Sequence, residues 1–286
     1  MRTNNVNMRR AGTIAGLLSP ATLLVVGSLV LPMLTLFRYS FNAYDPLTLM
    51  RVTFTLENYV QFFTTPYFHE VMITTLSVAI ISSLGSAVLG FPVAYFLART
   101  QSRFKSLLVI LVIFPLLVGN VVRAAGWITL FGTKGVINVI LLKIGLINQP
   151  LEIMYTDFAV IISTLSVILP FMILSLQSVI ENVDFSVVDA ALNLGASRFQ
   201  AFRRVFLPIV MPGVMGGFVL VFILCMNAYA TPYLIGGPGY KMMAPALYNQ
   251  IASAANWPFG SALAFILMAV TVIATLLVSR VVSRRH

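Results

Sequence analysis

The chain has 286 residues, 59% of them hydrophobic and only 9% charged, whereas soluble domains carry about a quarter charged residues. With a mean hydropathy of +0.96 it cannot cover a water-facing surface in the ordinary way, which excludes a soluble enzyme and predicts an all-α, polytopic membrane protein with lipid as its main neighbour. The net charge of +10 invites nucleic-acid binding, but the arginines flank apolar runs and no soluble domain remains to hold a duplex, so no nucleic-acid partner is expected.

Six transmembrane helices are expected, at about 13–37, 71–96, 107–130, 158–176, 209–229 and 261–278, each near or above the roughly 17 to 25 residues that cross the hydrocarbon. The start, MRTNNVNMRR followed by an apolar run, imitates a signal peptide. The run is too long for a typical signal core, so it reads as a retained first helix. An even number of spans puts both termini on one side. Arg2, Arg9, Arg10, Arg99, Arg103, Lys105, Arg198, Arg203, Arg204, Arg280, Arg284 and Arg285 fall on that side, against Arg38, Arg51, Lys134, Lys143 and Lys241 on the other. Twelve against five places both termini in the cytoplasm.

The first outer loop, about 38–70, holds an interfacial stretch at 56–63. Tyr39, Phe41, Tyr44, Tyr59, Phe62, Phe63, Tyr67 and Phe68 suit an aromatic belt there; contact with a solute-delivery protein is the compatible alternative. Span two carries Thr74, Thr75, Ser77, Ser82, Ser83, Gly85, Ser86 and Gly90, small residues that let helices pack closely in lipid. In span three Asn120 and Arg123 lie three apart on one face. An arginine in a span is costly unless it snorkels, bonds internally or faces a polar cavity, so Arg123 is either structural or beside a translocation path. The segment 131–150 reads as an outer loop with a short helix.

In span four, Pro170 among Ser163, Thr164 and Ser166 marks either a packing bend or a local polar site. Span five opens with Pro208 and Pro212, continues through Gly213, Gly216 and Gly217, and ends in Asn227, Tyr229, Thr231, Pro232 and Tyr233. That last cluster is the best pore-facing candidate, because hydroxyls and amides replace solute hydration. The candidate translocation path is therefore Asn120, Arg123, Asn227, Tyr229 and Tyr233. The 236–241 segment, GGPGYK, reads as a flexible turn and lacks the full phosphate loop. Cys225 reads as a packed apolar residue, and His69 and His286 as incidental. No catalytic constellation, metal cluster or cofactor motif is found, and no interval is long enough for an ATPase domain.

The longest polar interval on the arginine-rich side spans about 181–208. Asp184 and Ser186 offer a helix start, with Asp189 three residues after Ser186 as in a capping box. Val188, Ala191 and Leu192 share a face, and Gly195 ends the run because glycine takes the left-handed conformation readily. Ser197 opens a second helix with Gln200 as its reciprocal cap, and Phe199, Phe202 and Phe206 give it an apolar stripe beside Arg198, Arg203 and Arg204. The residues alone leave two readings, an interfacial link between spans or a compact knob.

The stretch resembles the EAA loop of binding-protein-dependent ABC importer permeases: Glu-Ala-Ala, three residues, Gly, nine residues, an aliphatic, one residue, Leu-Pro. Here it reads Asp189, Ala190, Ala191, Gly195, Val205, Leu207 and Pro208, with Asp in place of Glu as the one departure. FTLENY (54–59), GFPVAYFLA (90–98), the run from Arg123 to Trp127 with Gly135 and Asn138, LPF (169–171) and NWPFG (256–260) resemble the polyamine (spermidine/putrescine) permease branch, so the similarity covers about residues 50–280. The resemblance implies a type I ABC importer permease fold, one transmembrane domain over 1–286, and a cytoplasmic coupling loop at 181–208. Asp189, Ala190, Ala191, Leu194, Gly195, Arg198, Leu207 and Pro208 would couple it to an ATP-binding subunit. It further implies a bacterial inner-membrane location, a second homologous permease subunit, two ATP-binding subunits and an extracytoplasmic solute-binding protein. This chain itself would hydrolyse nothing. A permease for another small charged solute (an opine or organophosphonate), an ATP-independent carrier and a membrane scaffold are the other readings.

Overall fold

The computed structural model describes residues 2–283. The side chains of Arg2, Arg9 and Arg10, and the whole of Arg284, Arg285 and His286, lie outside the described residues. Among the described residues the chain is helical, with one isolated antiparallel bridge between Ala43 and Arg51. It divides into two units: one runs to Thr64 and resumes over Gln250–Phe265, the other holds Thr65–Asn249 and continues from Ile266.

In the first unit, α1 (Arg2–Tyr39) and α2 (Glu57–Thr64) are joined by a loop latched on one side chain. The buried Asn58 Nδ2 donates to the Ser40 and Asn42 carbonyls, both at 2.8 Å. Phe41 stacks on Phe54 at 4.9 Å, and the Ser40 hydroxyl meets the Tyr59 hydroxyl at 2.8 Å. A carboxamide suits this place because it satisfies two carbonyls that burial would otherwise orphan. Phe62, expected at the interface, is buried instead, as is Phe68 of the second unit. At the other end of this unit Asn256 Oδ1 accepts from the Phe259 N–H at 3.0 Å, capping the helix that begins at Trp257. A Cβ on Gly260 would lie 2.4 Å from Ile251 Cγ1, so NWPFG reads as a cap, a first turn and a close approach.

The second unit begins with α3 (Pro66–Arg99), started by its own proline. Next come α4 (Lys105–Leu117), α5 (Asn120–Phe131) and α6 (Val136–Lys143). The expected third span, 107–130, is therefore broken at Val118–Gly119, both of which are extended, with ψ of 126° and 146°. Pro115 weakens the last turn of α4, and Gly119 serves as the N-cap of α5. The long α7 (Asp157–Glu181) runs through Pro170 as one helix. After it come α8 (Ser186–Asn193) and α9 (Arg198–Ala201), which passes through a π turn (Phe202–Phe206) into α10 (Leu207–Met226). Then come α11 (Ala230–Gly236) and α12 (Met243–Tyr248), and α13 (Trp257–Ser283), which belongs to this unit from Ile266 onward.

Among the described residues six stretches are long and apolar enough to cross a membrane: Thr22–Tyr39, Pro66–Arg99, Asn120–Lys143, Asp157–Glu181, Arg198–Met226 and Trp257–Arg280. The expected count of six holds, with the third assigned to a different segment. The centre of the second unit is α3, α7 and α10, packed pairwise. Glycine lets them approach: a Cβ on Gly85 would fall 2.5 Å from Leu165 Cδ1, and one on Gly213 would fall 2.3 Å from Val179 Cγ2. Gly216 faces open space. In lipid such close packing, with few polar bonds, holds helices together; Ser82 Oγ adds one bond, to the Ile161 carbonyl at 3.3 Å.

Two turns of this unit are tied firmly. Asn138 donates to the Gly132 and Leu151 carbonyls and accepts from the Leu151 N–H at 2.7 Å. The 236–241 turn, expected to be flexible, is anchored. Tyr240 donates to Asp157 Oδ1 at 2.7 Å, Lys241 pairs with Glu70, and Asn249 donates to the Pro238 carbonyl at 3.1 Å. Gly237, at φ +85°, supplies the left-handed bend. Burial and the Asp157 carboxylate push the Tyr240 hydroxyl well above its ordinary pKa.

Candidate functional site

Two regions of the second unit carry the residues singled out from the sequence. The first is an elbow at 184–208. Asp184 Oδ1 accepts from the Ser186 N–H at 3.0 Å, and hydrogen bonds from the Ser186 hydroxyl and N–H hold the Asp184 carboxyl below the usual carboxylate range. Ser186 is not the cap, however. It is the first residue of α8, whose N-cap is Phe185 with no side-chain bond, so the expected box with Asp189 does not form. The C-terminus closes as expected. Gly195 sits at φ +90°, its N–H bonds the Leu192 carbonyl at 3.0 Å, and the Ala196 N–H bonds the Ala191 carbonyl at 3.1 Å. This 5→2 and 6→1 pair is a Schellman closure. Ser197 and Gln200 then form the full reciprocal capping box of α9.

The aromatic stripe divides. Phe206 is buried, Phe202 lies at the surface, and Phe199 is 68% exposed. The expectation assumed an unbroken α-helix; the π turn intervenes, with the Leu207 N–H bonded to the Phe202 carbonyl five residues back. Pro208 cannot donate to the Arg204 carbonyl and its ring crowds it, and the wider turn relieves that crowding. Phe206 is held among Tyr95 at 5.5 Å, Phe185 at 5.6 Å and Phe91 at 6.3 Å, while the Arg99 guanidinium lies 4.2 Å over the Phe185 ring. These partners were missed in the sequence; their signal is the i, i+4 spacing of Phe91, Tyr95 and Arg99 on α3. Through them the elbow is keyed to α3. The Lys105–Glu181 ion pair, at 2.8 Å, ties the end of α7 to the start of α4 just before it.

Asp189, Arg198 and Leu192 line a small cavity of about 340 Å³ beside this cluster. Among the described residues no hydrogen bond or ion pair engages the Asp189 carboxylate. Ala190 is exposed, Ala191 half-buried, and Leu194 projects with 89% of its surface exposed. Leu207 and Pro208 form the junction with α10.

The second region is a cavity of about 580 Å³. Asn120 and Arg123 line it from α5, Thr164 from α7, and Asn227, Tyr229 and Thr231 from the end of α10 onward. Arg123 Nη2 donates to Asn120 Oδ1, as their shared face allows. Thr164 Oγ1 and Arg123 Nε and Nη1 are shielded and have no hydrogen-bond partner among the described residues. Four of the five path candidates meet here. Tyr233 does not: it packs against Tyr229 at 5.3 Å and Tyr248 at 6.0 Å, because α11 starts at Ala230 and turns its side chain away. Glu70 and Asp157 are engaged by Lys241 and Tyr240 and do not line this cavity.

Residues 87–286 match the family model described as binding-protein-dependent transport system inner membrane component. The chain is 37% identical over 242 residues to the spermidine/putrescine transport system permease protein PotB of Salmonella typhimurium (strain SL1344), covering 83% of this chain and 84% of that relative. It is 33% identical over 249 residues to PotB of Haemophilus influenzae, covering 87% and 86%. Its fold superimposes on a chain from the crystal structure of a bacterial alginate ABC transporter in complex with alginate pentasaccharide-bound periplasmic protein. The TM-score is 0.81 over 97% of this chain and 96% of that one, at 17% identity. The expected ABC permease fold is thus found, and the chain belongs to the family of binding-protein-dependent transport system inner membrane components.

Proposed function

We propose that the chain is the transmembrane permease subunit of an ATP-driven, binding-protein-dependent importer of polyamines such as spermidine and putrescine. It acts as one transport domain of the bacterial inner membrane, with both termini cytoplasmic. It pairs with a second homologous permease, stands on two ATP-binding subunits, and receives solute from an extracytoplasmic binding protein. The polyamine class follows from the similarity to PotB. The coupling role rests on one observation above the rest: an apolar tip, Leu194 and Phe199, stands exposed on an elbow whose base is packed into α3.

The geometry gives a route for force. An exposed apolar tip beside Asp189 and Arg198 suits a groove on an ATP-binding subunit. Motion of the tip moves Phe206 and Phe185, which bear on Tyr95 and Arg99 of α3. Because α3, α7 and α10 are closely packed, they move as bodies, which is the mechanical requirement of alternating access. The cavity at Asn120, Arg123, Asn227 and Tyr229 is the place in this chain where solute passes.

Gly195 tests the reading. Nothing lies within 4 Å of a Cβ built there, yet its φ is +90°. Gly195→Val therefore acts on the backbone alone, with a strain of about 1–3 kcal/mol. In vesicles holding the full importer, the variant inserts normally and ATP turnover continues while solute uptake collapses. Normal uptake by a well-inserted variant overturns the coupling role. The second reading, an importer of an anionic solute such as an opine or organophosphonate, is favoured by Arg123 in the cavity. A binding screen on the cognate solute-binding protein separates the two.

A further inference from the structure

A second, shallower hollow of about 600 Å³, open along much of its extent, also has Arg123 in its lining, with Pro115, Gly126, Trp127, Thr129, Leu130 and Ser166. Arg123 is the one residue that lines both it and the 580 Å³ cavity, and the one charged side chain in either lining. Its position is fixed from two directions. Asn120 holds Nη2. One turn further along α5, Trp127 Nε1 donates to Ser166 Oγ of α7 at 2.9 Å, pinning the helix. Among the described residues Nε and Nη1 meet no acceptor, and no carboxylate lines either hollow to neutralise the guanidinium.

From this arrangement we infer that Arg123 is the charge-selecting barrier of the path. Its fixed positive charge, common to the linings of both hollows, closes the permease to inorganic monovalent cations and to the unaided passage of an ammonium solute. A shielded charge without a neutralising partner acts at longer range than one in bulk water because less solvent screens it. A polyamine carries ammonium groups and Arg123 a guanidinium, both cationic and both hydrogen-bond donors only, so the two repel. The solute then passes only when the driven rearrangement moves the guanidinium aside, which couples transport tightly and keeps the resting permease sealed. The inference rests on reading this cavity as the translocation path.

The test compares charge with shape. The complete importer is reconstituted in vesicles preloaded with rubidium or with radiolabelled spermidine, and efflux is followed without ATP. Arg123→Gln and Arg123→Met, both neutral, raise efflux by about tenfold or more, as expected for removing a charge barrier. Arg123→Lys restores the seal to near the wild-type rate, and Asn120→Ala, which releases the guanidinium, gives a smaller rise. Only variants that co-purify with the other subunits in wild-type proportion are compared. The inference is overturned if the neutral variants seal as well as wild type, or if the lysine variant leaks as freely as they do. Failure of the wild-type complex to import spermidine with ATP and its binding protein sinks the polyamine reading instead, and the rubidium arm still judges the barrier.

Discussion

The elbow and the cavity belong to the same unit but are assembled in opposite ways. The elbow comes from one continuous stretch, 184–208, closed by local backbone chemistry: a left-handed glycine, a reciprocal Ser197–Gln200 cap and a proline that widens the next turn. The cavity draws its lining from α4, α5, α7, α10 and the 227–231 segment, so its form depends on how helices meet. A part built locally can dock, tilt and return as a body. A part built from distant helices changes shape whenever they shift. Coupling needs the first property, and a gated path needs the second.

Substitutions sharpen the contrast. The largest effect is expected at the elbow tip. Leu194→Glu puts a charge on an exposed apolar knob, and co-purification with the ATP-binding subunit should fall more than tenfold, the loss of at least about 2 kcal/mol typical of a central anchor. Membrane insertion, measured by yield, stays unchanged. On the cavity side, Asn227→Leu removes an exposed amide from the lining. Uptake should drop about tenfold, the scale of losing one good hydrogen bond to a solute, while association with the ATP-binding subunit persists. If the two variants failed in the same way, the division of labour would be wrong.

Smaller effects probe the scaffold shared by both regions. Gly213→Ala forces a methyl to within 2.3 Å of Val179 and should cost about 1–3 kcal/mol, read as a lower unfolding temperature in detergent. Gly216→Ala, three residues on and facing open space, should stay within about 0.5 kcal/mol of wild type. The smallest effect is at the anchored turn. The pKa of Tyr240 is raised, so folding favours its protonated form. That contribution is whole below the unfolded tyrosine value of about 10 and is lost as pH rises beyond it. Tyr240→Phe should therefore remove a stability loss seen only in alkaline buffer and leave the profile between about pH 6 and 8 flat.

The sequence made the elbow legible where its signals are contiguous. Gly195 and Ser197 with Gln200 needed no knowledge of what lay elsewhere. It misled at Ser186, where a cap and a first helical residue read alike, and at Phe199 to Phe206, where α-periodicity ran over a π turn. The break at Val118–Gly119 was hidden because an apolar run says nothing of direction. Asn120 and Arg123 were found together by their spacing of three, but their meeting with Asn227 and Thr164 is a tertiary fact. Tyr233 was misplaced because the chain turns at Ala230. Asn58, Asn138 and Asn256, within motifs that pointed to a solute branch, prove to be latches and a cap. Similarity in those motifs follows architecture as much as solute.

The π turn before α10 has a consequence for how the chain tolerates change. It winds one additional residue into a single coil, and each residue indexes a helix by roughly 100°. Gly213 and Gly217, the notches that receive α7, are therefore aligned by a count that starts at the elbow. Deleting one residue between Ala201 and Leu207 would leave both flanking helices intact yet swing those notches out of mesh, as a gear mounted one tooth off turns freely and drives nothing.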